Sequence, residues 1–175
     1  MSENQMSATP YFVKPGYLVA DRSAMLMRCV LGNGAAVTLY DRKNRFGGMH
    51  HFVFPETSRP EDATAQFGNV GLMAFIRLMR EMGARLETMV AQILGGSYLD
   101  DWPDGDLGRR NISMARKILG RYKIAVISED VGGRLGRKVV YHSATNQTGI
   151  IRVENLRRSD WFKPGMDLRY DKIGR

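Results

Sequence analysis

Few side chains in this chain are suited to nucleophilic or proton-transfer chemistry. The single cysteine is Cys29, and two of the three histidines, His50 and His51, stand side by side after Gly47-Gly48. A thiolate attacks a carbonyl carbon, and an imidazole can take the thiol's proton and return it to a leaving group. Cys29 and the histidine pair therefore pose a choice between a thiol site, the remains of one, and two plain strands with a turn. Between them lies Asn33-Gly34. One cysteine and three scattered histidines do not make a zinc site, so neither metal nor cofactor is expected.

The elements that must position these residues follow from period and punctuation. With 175 residues, 43% hydrophobic and 25% charged, the chain has the composition of one globular domain with its own core. No apolar run reaches the roughly 18 residues of a membrane span. The N-terminus MSENQMSATP lacks the apolar centre of a signal peptide, and one cysteine forms no internal disulfide, so a cytoplasmic location without membrane insertion is expected. The net charge is +8, but the basic residues are scattered and no aromatic–basic platform is visible, so nucleic acid is not an expected partner.

Residues 1–15 read as a flexible arm. YLVAD, AMLMRCVL, AAVTLYD and GGMHHFVF read as strands, with Asn33-Gly34 as a hairpin turn because both residue types tolerate positive φ. Leu72, Phe75, Ile76 and Met79 recur at helical spacing, and Gly83 ends that helix. ETMVAQILGG is a strand. Asp106 is the N-cap of a second helix with Ile112, Ala115, Leu119 and Tyr122 on its core face. KIAVISED, GRKVVYHS and GIIRVE complete the strands. The order is that of a mixed α/β domain, a helical layer on a sheet with a second sheet behind it. Gly47-Gly48, Gly95-Gly96 and Gly132-Gly133 sit at strand edges; they either line one cleft or are simply turns.

GGMHHFVFP, FGNVGL, GARLETMVAQILGGSYL, LGRRNI, EDVGGRLGRKVVY and GIIRV occur together and in the order found in the CheD family, the chemoreceptor glutamine deamidases of chemotaxis. The chain resembles that family over residues 16–153, leaving 154–175 as a C-terminal extension. The resemblance implies a three-layer α/β/β sandwich with mixed sheets and two main helices. It also implies thiol chemistry, in which a cysteine attacks a side-chain amide, a histidine shuttles the proton, and a nearby hydroxyl orients the histidine.

The match breaks at the nucleophile. Where the family reads L-G-S-C-x-x-V-x-L-Y-D, this chain reads Leu31-Gly32-Asn33-Gly34-Ala35-Ala36-Val37-Thr38-Leu39-Tyr40-Asp41. Gly34 stands at the cysteine position, and Arg28 at that of the orienting threonine. Asn69 replaces an aspartate, while His51 matches the family histidine. Cys29 lies five residues upstream of Gly34, about 16 Å along an extended strand and on the opposite face, where it reads as a small buried hydrophobe. His51 is then either a base without its nucleophile or a histidine held by a backbone carbonyl. His50 is expected to point to the other strand face and to solvent. The resemblance implies chemoreceptors and a CheC-type phosphatase as partners. The expected function is binding to one or both without thiol deamidation; the alternative is a glutamine deamidase with weakened or altered machinery.

Overall fold

The computed structural model describes residues 8–102, 105–166 and 168. Burial along the strands dictates the layers. In β3 (Met25–Leu31) Met25, Met27, Cys29 and Leu31 are buried and the alternate side chains are not, the signature of a sheet covered on one face. β4 (Ala35–Asp41), β5 (Phe46–Phe52) and β6 (Met89–Gly95) are buried at every position, which requires cover on both faces. These three form the centre of a five-stranded sheet, β2-β5-β4-β6-β7, with β2 at Tyr17–Asp21 and β7 at Ala125–Val131. A four-stranded sheet, β1-β3-β8-β9, packs on one side of it, with β1 at Thr9–Phe12, β8 at Gly136–His142 and β9 at Gln147–Val153. Both sheets are mixed, since β1 runs parallel to β3 and β6 parallel to β7.

On the other side lie α1 (Gly68–Glu81) and α2 (Leu107–Arg121). The α1 stripe of Leu72, Phe75, Ile76 and Met79 is at most 1% exposed and meets Ala35, Val37 and Leu39 of β4. Gly83, at φ +101°, takes the left-handed conformation that closes the helix. In α2, Ile112, Ala115 and Leu119 are buried and Tyr122 is partly so; Asp106 precedes the helix without a side-chain capping bond. The second core lies between the sheets and includes Met27, Cys29, Leu31, Ala36, Met49, Leu94 and Tyr141. The fold is therefore a three-layer α/β/β sandwich.

Two local expectations change. Asn33-Gly34 is not a hairpin turn, because β3 and β4 belong to different sheets. Neither residue adopts the positive φ that such a turn requires; the segment carries the chain from one sheet to the other. β4 instead turns back into β5 through Asp41–Arg45, with Arg45 at φ +58°. The expected flexible arm is also too long: Thr9–Phe12 pair with Met25–Arg28, and Val13 is fully buried. Pro10 suits this place because an edge strand can spare a donor. The remainder of that arm, residues 1–7, lies outside the described residues.

Candidate functional site

The two histidines of β5 part company by the two-residue period of a strand. His50 turns to the helices. It is fully buried, not exposed as expected, with its ring 5.3 Å from that of Phe52. α1 can pass over it only because Gly71 lacks a Cβ, which would run into the imidazole. Its Nε2–H donates to the Ala65 carbonyl at 2.6 Å, and burial lowers its pKa to about 4, so it stays neutral.

His51 turns inward, towards the layer between the sheets, and is 1% exposed. Its Nδ1–H donates to the Val13 carbonyl at 3.2 Å, which leaves the lone pair on Nε2. A Cβ placed on Gly34 would lie 3.2 Å from that Nε2, 3.1 Å from Phe52 O and 3.3 Å from Val53 Cγ1. The structure thus brings Gly34 and His51 together, with the imidazole in the tautomer a general base requires and no side chain at Gly34 to act on.

Arg28 is not brought to this point. Its side chain leaves β3 on the solvent face, opposite Met27 and Cys29. The link from position 28 to the histidine runs through the main chain: Val13 N–H donates to Arg28 O, and Val13 O holds His51. Val13 thus does by a carbonyl what a hydroxyl would do, and only the paired N-terminal strand puts it there. Cys29 lies in the inter-sheet core, 2% exposed, and burial pushes its thiol pKa up to about 12, so it is no substitute nucleophile. Asn69, at the start of α1, exchanges two hydrogen bonds with Thr57 of the preceding loop.

Two residues missed in the sequence shape the site. Asn111 of α2 is fully buried and donates to the carbonyls of Asn33 and Val53, pinning the sheet-to-sheet connection to the helix layer. Its signals are its place in the LGRRNI motif and beside the apolar stripe of a predicted helix, neither of which assigns it a contact. The second is Phe162, in the C-terminal stretch. Asn33 Nδ2 donates to Phe162 O at 2.8 Å, and Phe162 N–H donates back to Asn33 Oδ1 at 2.9 Å. The Phe162 ring is buried with Val53, Phe54 and Leu107, and Trp102 Nε1 donates to the same carbonyl. A Cβ on Gly32 would meet Asp160 O at 2.5 Å, so the tail backbone lies directly on the connection. The tail therefore packs on the two residues that precede Gly34. Among the described residues no cluster of side chains could hold a metal ion.

These layers, with a histidine set against a bare glycine between them, define an α/β/β-sandwich protein. The chain belongs to the CheD family, described as chemotactic sensory transduction, which it matches over residues 53–152. It is 34% identical over 137 residues to a probable chemoreceptor glutamine deamidase CheD of Trichlorobacter lovleyi, covering 77% of this chain and 85% of that protein. It is 32% identical over 150 residues to the protein of that name in Haloarcula marismortui, covering 82% and 87%. A probable chemoreceptor glutamine deamidase CheD 1 of Anaeromyxobacter dehalogenans is 36% identical over 115 residues, covering 65% and 67%. The family match begins at Val53, beyond both Gly34 and His51. Among the described residues no helix is long and apolar enough to cross a membrane.

Proposed function

We propose that this chain serves chemotaxis as a binding member of the CheD family, docking on chemoreceptors, on a CheC-type phosphatase, or on both, without deamidating glutamine by a thiol route. The observation that carries this reading is the placement of Gly34. The position next to His51 Nε2 is filled by a residue with no side chain, so no thioester can form there. Docking needs surface and shape, and the scaffold for both is intact. The family relatives' names point to chemoreceptors as the partner class.

The alternative, a deamidase in which His51 activates water directly, has the favourable tautomer on its side. It must work without covalent catalysis, at a cost of orders of magnitude in rate, and at a histidine only 1% exposed. Co-expression with the chemoreceptors of the same cell, followed by peptide mass spectrometry, separates the two. The expected result is no glutamine-to-glutamate conversion that depends on this chain, together with micromolar binding of a receptor cytoplasmic fragment or the phosphatase in a titration. Conversion that depends on the chain, or no binding to either partner, sinks the proposal.

A further inference from the structure

The helix layer carries a feature that the thiol site does not use. Between α1 and α2 runs an open groove of about 580 Å3, on the face of the molecule away from the four-stranded sheet. Its floor is apolar: Ile76, Met114 and Ile118 are buried there, and Met73 stands 41% exposed. Its rims are basic, with Arg77 and Arg80 on α1 and Lys117 and Arg121 on α2. Among the described residues Glu56 is the one carboxylate lining it. Of the four cations only Arg77 has an ion-pair partner among the described residues, a loose 4.0 Å contact to Glu81. Elsewhere on the surface, Arg59, Arg85, Arg116, Arg134 and Arg152 each have an acidic neighbour.

We infer that this groove is the docking site for an acidic amphipathic helix of a partner protein; the inference rests on the reading that the chain works by binding. Cations on both rims with an apolar strip between them match a helix with a leucine-type stripe flanked by carboxylates. Methionine suits the floor because its flexible thioether adapts to the shape of the incoming stripe. α1 lines the groove from Asn69 to Arg80 and α2 and its C-cap from Met114 to Tyr122, about 17 Å and about 13 Å of helix, so it seats roughly three turns of a guest helix. A nucleic acid would use the cations but would leave the methionine floor without a purpose. A second copy of this chain would bring the same positive rims against each other.

The test uses the full chain and a labelled 14-residue probe helix with leucines at i, i+3, i+4, i+7 and glutamates on both flanks. A version with lysines for glutamates and a single-stranded RNA of random sequence run beside it. The expected result is saturable binding of the acidic helix that weakens with salt, with little binding of the lysine version. Arg80→Glu with Lys117→Glu should weaken it at least about tenfold, and Met73→Asp should weaken it as well, whereas Lys138→Glu on the far sheet should not. Thermal melts of each variant, expected to match the parent chain, check that the exposed substitutions leave the fold intact. Equal affinity for both helices, no effect of the rim variants, or displacement of the acidic helix by RNA overturns the inference. A receptor fragment or phosphatase titrated into the same variants keeps the two readings apart. Partner binding that survives the rim charge reversal overturns the groove and leaves the functional reading standing. Acidic-helix binding without binding of either partner does the reverse.

Discussion

Asn33 holds the C-terminal segment against the sheet-to-sheet connection beside Gly34, and a thiol introduced at position 34 can measure how firmly. In Gly34→Cys the new Cβ meets neighbours at 3.1–3.3 Å, which ask for shifts of a few tenths of an ångström, and the backbone at this position is outside the left-handed region. Gly34 is buried and the tail rests on its neighbours Gly32 and Asn33, so the new thiol is expected to react faster when the tail lifts. Asn33→Ser, added to it, removes two hydrogen bonds to the Phe162 main chain, of 2.8 and 2.9 Å. Each neutral bond contributes about 1 kcal/mol net, so the pair contributes about 2 kcal/mol. That is roughly a thirtyfold rise in the lifted population at 1.4 kcal/mol per decade. When the tail reseals faster than the reagent reacts, the alkylation rate follows that population. The assay is iodoacetamide labelling followed by tandem mass spectrometry of the peptide, with Cys29 as an internal reference. Cys29 is 2% exposed and its pKa is raised to about 12, so it is labelled only on global unfolding. The expected result is a rise of about thirtyfold confined to the introduced thiol, with Cys29 unchanged. Equal labelling rates of the introduced thiol with and without Asn33, or parallel acceleration of Cys29, would refute the clamp.

Three further outcomes are expected. Adding Arg28→Thr to Gly34→Cys should bring no gain in receptor deamidation over Gly34→Cys alone, because the side chain at position 28 leaves the sheet towards solvent; a gain in the mass-spectrometric assay would show a hydroxyl there reaching His51. His50, with its pKa lowered from 6.5 to about 4, binds a proton more readily in the unfolded chain, so its contribution is full above pH 6.5 and is lost as pH falls towards 4. That loss is about 3 kcal/mol at most, visible as a falling urea midpoint over that window and flattened in His50→Gln. Arg137 is 3% exposed and is bonded to Asp130, Ser97 and the carbonyls of Gly132 and Leu135. Arg137→Ala should cost about 3 kcal/mol and lower Tm by roughly 10 °C in calorimetry, by leaving Asp130 and those carbonyls short of their donor.

Much of this molecule is written in local pattern. The 3.6-residue spacing of Leu72, Phe75, Ile76 and Met79 specifies a helix buried along one face whatever surrounds it, and Gly83 specifies where it stops. The identity of residue 34 alone removes thiol chemistry from that position, since no fold can supply a missing sulfur. What the sequence left open depends on pairing across long separations. Asn33-Gly34 has the composition of a hairpin turn, but β3 finds its partners in β1 and β8 while β4 finds β5 and β6, and only those pairings turn the dipeptide into a bridge between sheets. The exposure expected for His50 was sound for a sheet with one wet face. It failed because both faces of β5 are covered, a property of the layers and not of the strand. The seating of the tail is likewise tertiary. Asn33 and Phe162 are 129 positions apart, and the reciprocal bonds between them exist only because the folded sheets bring the tail back across the connection, where burial removes water as a competing partner.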